Sequence, residues 1–153
     1  MCFRPIRVLG VILFLAILAG VQGRAPARPG AGFRIVIRKA QRQLLVYVGP
    51  NVTRTYRIAL GLQPVGAKER EGDRRTPEGL YYVCGRNAHS QFYRSLAISY
   101  PNIGDATRGL QSRLISRSEY AAIVRANRHK QVPPQNTALG GAVFIHGRGS
   151  SRD

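Results

Sequence analysis

The sequence predicts a mainly β domain with one or two short helices, and three observations carry that expectation. Short runs alternate apolar and polar side chains with a period of two, clusters of glycine, proline and asparagine separate them, and one stretch opens with a full helix-capping pattern. The 153 residues suffice for one domain with a modest core and not for two.

The chain opens on something other than fold. Arg4 and Arg7 precede an uninterrupted apolar or glycine run over residues 8–21, the pattern of a secretory signal's charged and hydrophobic regions. Those 14 residues fall short of the roughly 20 that cross a bilayer comfortably. Residues 1–23 are therefore expected to be a signal peptide or an N-terminal anchor, with Val21-Gln22-Gly23 or Ala25-Pro26-Ala27 as small-residue cleavage sites. Residues 24–32, rich in Pro, Gly and Arg, form a linker, and residues 33–153 form the folded part.

Within that part, Phe33 to Arg38 places Phe33, Ile35 and Ile37 on one face, as a half-buried strand does. Lys39 to Arg42 makes a turn, and Gln43 to Gly49 is a second strand with Leu44, Val46 and Val48 facing one way. Gly49-Pro50-Asn51 turns again, and Thr53 to Leu60, rich in Thr, Tyr and Ile, completes a three-stranded meander. Gly61 to Pro77 is polar and broken by glycine and proline, hence a long loop of a kind that is commonly functional. Gly79 to Gly85 and Arg94 to Tyr100 return to strand, and Ile103 to Leu110 is a short helix or turn. Ser116 with Glu119 three residues on is a capping box that starts a helix over Arg117 to Arg128, with Tyr120, Ile123 and Val124 on its apolar stripe. Val132-Pro133-Pro134 follows its end, and Gly141 to His146 is the last strand.

Lysine and arginine number 24 against 7 acidic residues, a formal charge of +17 that favours anionic partners. The arginines are scattered, and neither a recognition helix, zinc-finger spacing nor an aromatic platform accompanies them, so nucleic acid is not the expected partner. For an exported chain the anions are membrane headgroups, teichoic-type polymers or peptidoglycan carboxylates. Cys84 is the one cysteine outside the leader, which reads as a small buried hydrophobe or, less simply, a reactive thiol.

His146 stands at a strand end, followed by Gly147, Gly149, Ser150 and Ser151. A strand end aims a side chain rigidly, the glycines admit a substrate backbone, and imidazole is the natural proton shuttle near neutral pH. From the residues alone it is either a catalytic histidine or an ordinary strand-end one. His89 and His129 lie in polar stretches and read as surface residues, and the three histidines show no zinc-ligand spacing.

The segments IALGLQPVGAKEREGDRRTPEGLYYVCGRNAHSQFYRSLAISYPNIGDA and PPQNTALGGAVFIHG resemble the YkuD-type L,D-transpeptidase catalytic domain, and more narrowly the murein L,D-transpeptidase-like proteins of Gram-negative envelopes. The resemblance runs from about Phe33 to Gly147. It implies a β-sandwich-like domain with flanking helices, secreted to the periplasm or cell envelope, acting without a cofactor on the tetrapeptide stems of peptidoglycan. The family's cysteine attacks the L,D peptide bond, releases D-alanine and holds the acyl group as a thioester. An amine of another stem or of an envelope lipoprotein then completes transfer, while water gives carboxypeptidase or endopeptidase activity. By the same resemblance His146 polarises the cysteine and Gly147 shapes the adjoining loop. Tyr81, Asn87, Ser90, Ser99 and Tyr100 fall in cleft segments, and Arg74, Arg75 or Arg148 would pair with the substrate's carboxylates. Asp73, Arg75, Thr76, Pro77 and Gly79 match the GD-x-x-TPEG loop and read as scaffold.

Family members continue past the histidine into an Asp-Trp-Thr-like step and a Gly-Cys element bearing the nucleophile, whereas this sequence stops at Asp153. The expectation is a partial, C-terminally incomplete domain that is inactive as written, with a non-catalytic wall-peptide-binding pseudoenzyme as the alternative. Cys84 does not match the nucleophile's motif.

Overall fold

The computed structural model describes residues 32–147. The expected leader, the linker up to residue 31, and Arg148 lie outside them. The described chain is mainly β, with two three-stranded antiparallel sheets and two short helices.

The first sheet is the expected meander, β1 (Phe33–Arg38), β2 (Gln43–Val48) and β3 (Asn51–Arg57), in the order β1-β2-β3. The hairpin between β2 and β3 is tighter than its Gly-Pro-Asn sequence suggests, because Val48 pairs with Asn51 and leaves Gly49 and Pro50 alone in the turn. Gly49 has φ +59, the left-handed conformation that a glycine adopts without strain. Leu44 and Leu45 on the central strand are buried, while Phe33, at the end of an outer strand, is 82 % exposed rather than half-buried.

The second sheet has the order β4-β5-β6: β4 (Val83–Ser90), β5 (Tyr93–Ile98) and β6 (Phe144–His146). Here β4 is displaced from the expected Gly79–Gly85. The apolar segment Leu80 to Tyr82 leaves the ladder, because Tyr81 Oη bonds Asp105 and the backbone N–H of Tyr82 donates to Ser99 Oγ at 2.9 Å. The polar run Arg86 to His89 carries the strand instead, on an edge where side chains on both faces can meet solvent. The last strand is also shorter than Gly141–His146. Gln135 holds that approach, its Oε1 accepting from Ala142 N at 2.7 Å, and a Cβ on Gly141 would stand 2.7 Å from Gln135 backbone.

Helix α1 (Ile103–Gln111) is capped by Asn102 and Asp105, and α2 (Arg117–Arg128) by Ser116 and Glu119 as its sequence predicts. The buried cluster lies with these helices: Ala106, Ile115, Ile123 and Leu139 are closed over by Leu110, Leu114 and Tyr120. Asn127 Nδ2 ties α2 to the link between β5 and α1 by donating to Pro101 O at 3.0 Å.

Candidate active site at the end of the second sheet

His146 ends β6 opposite Ser95 of β5, which in turn pairs with Asn87 of β4. Directly paired residues present their side chains on the same face, so Asn87, Ser95 and His146 form one row across the sheet. Ser95 is buried, while Asn87 and His146 are exposed. Asn87 Oδ1 accepts from His89 N at 2.8 Å, a local bond that shapes the descent into the hairpin.

That hairpin brings an aromatic pair to the histidine. Ser90 Oγ accepts from Phe92 N at 3.2 Å, and Tyr93 holds φ +77, a left-handed conformation that a bulky residue adopts only under constraint. The consequence is that Phe92 sets its ring 4.6 Å from the His146 imidazole, tilted by 30°. Gly147 N donates to Arg94 O at 3.0 Å, extending the ladder one residue beyond His146. A Cβ at Gly147 would press on Tyr93 Cδ1 at 3.3 Å, which gives the glycine a steric role beside the histidine.

His146 Nδ1 lies 2.9 Å from the Gly147 carbonyl oxygen. A carbonyl can only accept, so Nδ1 carries the proton and donates it, and in the neutral ring Nε2 keeps its lone pair. Among the described residues no other group hydrogen-bonds this imidazole. The arrangement is that of a base with one nitrogen anchored and the other free.

Of the remaining cleft candidates, Ser90 joins the histidine's neighbourhood through the hairpin. Tyr81, Ser99 and Tyr100 sit elsewhere. Ser99 and Tyr100 have no accessible surface; Tyr100 Oη donates to Leu139 O at 3.0 Å, and Ser99 bonds Tyr82. Tyr81 Oη donates to Asp105 Oδ2 at 2.8 Å, and burial together with that carboxylate pushes both tyrosine hydroxyls well above the usual phenol range. Burial likewise raises Asp105, against the Asn102 N–H, Tyr81 and Arg108 that favour its charge. Phe92 and Ser95 are the neighbours that sequence reasoning passes over. The signal for Phe92 was the short polar turn around it, which implies a hairpin folding back on the strand that ends in His146.

The GD-x-x-TPEG loop is built around Asp73. Its carboxylate accepts from the backbone N–H groups of Glu69, Arg70 and Arg75 and from Lys68 Nζ at 3.0 Å. Burial opposes its ionisation, but the four donors hold it well below the usual carboxylate range. Lys39 Nζ fastens the loop to the first sheet through Gly66 O, Thr76 O and Glu78 Oε1. A groove of about 750 Å³ opens between this loop and α1, with Arg70, Arg75 and Arg108 on its wall; His146 does not line it.

Cys84 is half-buried on β4, its Sγ 3.6 Å from Ala97 O, and burial pushes its thiol up, away from the thiolate that acyl attack needs. β5 runs between β4 and β6, so two strand spacings, roughly 10 Å, separate the Cys84 and His146 backbones even before their offset along the sheet. Spatial proximity does not make this cysteine the partner of His146. Among the described residues no group of three or more His, Cys, Asp or Glu is placed to hold a metal ion.

Relatives place this geometry in context. The chain is 31 % identical over 92 residues to the protein named "Putative L,D-transpeptidase YafK" in Escherichia coli strain K12, and equally so to its namesake in Escherichia coli O157:H7. The match takes in 56 % of this chain and spans 37 % of the length of those relatives. No solved structure matches the chain. Residues 32–153 match the YkuD family, the L,D-transpeptidase catalytic domain, and the chain belongs to that family.

Proposed function

We propose that this domain supplies the imidazole of a cysteine-dependent acyl-transfer centre acting on the tetrapeptide stems of peptidoglycan in the cell envelope. The observation that carries the proposal is His146 itself: an exposed imidazole at a strand end, its Nδ1 proton committed to Gly147 O and its Nε2 without a described partner. Family membership supports the reaction class, and the cationic composition suits an anionic wall peptide.

In the proposed reaction Nε2 accepts the proton of a cysteine thiol, and the thiolate attacks the carbonyl of the L,D peptide bond. The bond to D-alanine breaks, its amine leaves with the proton from the imidazolium, and the acyl group remains as a thioester. An amine of a second stem or of a lipoprotein, or water, then takes the acyl group and regenerates the thiol. Cys84 is not that thiol, for the distance and burial given above. Asn87, in the same row on the far side of Ser95, and Ser90, in the hairpin that carries Phe92, are proposed to contact the stem, and Arg148 to pair with its carboxylates. Tyr81, Ser99 and Tyr100 support the cleft from within.

The test is D-alanine release from a purified disaccharide tetrapeptide by the protein expressed from its full reading frame, compared with His146→Ala. Loss of the base lowers the rate by about 10²–10⁴-fold. Unchanged release by the variant would overturn the role of His146, and the products, cross-linked dimer or free tripeptide, assign the acceptor.

A further inference from the structure

The first sheet carries an imbalance of charge that the acyl-transfer site does not use. Arg34, Arg38, Lys39, Arg42, Arg54 and Arg57 all lie between residues 33 and 57, and that segment contains no aspartate or glutamate. The other six acidic residues before Asp153 fall between Glu69 and Glu119.

Register sorts these cations. Arg38 and Arg57 pair with Gln43 from either side, and Arg34 pairs with Tyr47, four residues along β2. Arg34, Arg38 and Arg57 therefore share one face, with Arg38 and Arg57 two strand spacings apart, roughly 10 Å, and Arg34 about 13 Å along the strand. All three are exposed. Arg34 lies over the Tyr47 ring at 4.2 Å, and among the described residues no carboxylate pairs with any of the three. Lys39, by contrast, is spent on Glu78. On the same face Val52, opposite Tyr47, is 48 % exposed.

We propose that this face of the β1-β2-β3 sheet docks on an anionic phospholipid surface. The positive charges of the three arginines attract the headgroup phosphates, while the exposed Val52 enters the interface beside them. Nucleic acid fits less well, since no helix or aromatic platform for bases accompanies the arginines and the exposed Val52 gains nothing from a phosphate backbone. The sequence adds a second argument. Only residues 22–32 separate the apolar run 8–21 from β1, and 11 residues reach at most about 40 Å, so a bilayer that takes up that run keeps the folded part within that reach. A short apolar anchor and a cationic patch together bind where either alone is marginal.

The experiment is co-sedimentation of the full chain with phosphatidylcholine vesicles with and without phosphatidylglycerol. It compares wild type, Arg34→Gln/Arg38→Gln/Arg57→Gln, the same triple changed to lysine, and Arg86→Gln/Arg113→Gln/Arg125→Gln as a charge-matched control on exposed positions outside this sheet. Each arginine contributes about fivefold to anionic-vesicle binding, so the sheet triple loses about 100-fold of the anionic preference. The lysine triple and the control retain it, and raised salt weakens all three binding proteins toward the level of the glutamine triple. Equal loss in the control would reduce the effect to net charge and overturn the proposal, as would loss in the lysine triple or no loss in the glutamine triple. Displacement of the wild type from anionic vesicles by duplex DNA at matched phosphate would assign the face to nucleic acid instead.

Discussion

The ring of Phe92, in the turn that joins β4 to β5, stands 4.6 Å from the imidazole of His146 at the end of β6. The contact packs a ring, tilted by 30°, against an imidazole whose Nδ1 is already bonded to Gly147 O. Phe92→Ala is expected to remove the ring-current shift on the His146 carbon-bound protons and leave the ring mobile, while Phe92→Tyr preserves both. A double-mutant cycle with His146→Ala in thermal unfolding should show a coupling of about 0.5–1.5 kcal/mol, the range for aromatic pairs. Unshifted His146 resonances in Phe92→Ala would mean that the stack does not persist in solution.

Tyr100 and Ser99 act on stability. Tyr100→Phe deletes a buried donor and leaves Leu139 O unpaired; Ser99→Ala leaves the Tyr82 N–H without its acceptor. Each costs about 1–3 kcal/mol. Urea midpoints should fall in both variants, with the binding of a tetrapeptide stem unchanged once the folded fraction is equalised. Weaker stem binding by folded Tyr100→Phe would place its hydroxyl in the cleft after all.

How far these features were readable from the sequence depends on where their cause lies. Helix α2 was legible to the residue because Ser116 and Glu119 close its first turn using neighbours three positions away, so nothing distant is needed. β4 was misplaced because an edge strand need not show an apolar face: Arg86 and Asn87 pair with Leu96 and Ser95, while the apolar-looking Leu80 to Tyr82 is drawn off by Ser99 and Asp105. His146 stood out as a strand-end histidine before glycine. Its neighbours Phe92 and Ser95 did not, since a pairing across 51 residues, such as Ser95 with His146, leaves no mark in local pattern.

Cys84 provides a separate check on the site. Its thiol is raised by burial and lies across β5 from the imidazole. Cys84→Ser is expected to leave D-alanine release by the full-reading-frame protein within about twofold of wild type, since the change removes neither base nor nucleophile from the proposed centre. Alkylation by iodoacetamide at neutral pH should be slow in the folded protein and fast in urea. Rapid native-state alkylation, or loss of turnover in a folded Cys84→Ser protein, would make this thiol a participant.

Asp73 should govern the acid limb of the stability curve. Its folded-state carboxyl is held below its ordinary value of 3.8, so the folded protein binds fewer protons there than the unfolded chain. That contribution is complete above pH 4 and drains away as pH falls toward the depressed value. Asp105, raised by burial, acts with the opposite sign: its contribution is complete below its ordinary value and is lost as pH rises through the folded one. Asp73→Asn removes the first effect and leaves the second. At pH 7 it should cost about 3 kcal/mol, because the nearly buried Lys68 ammonium loses its counter-charge. Between pH 4 and pH 2 the variant should lose less stability than wild type, so the gap between them narrows as pH falls. Parallel urea midpoints for the two proteins across that range would show that the four donors around Asp73 do not hold its charge in solution.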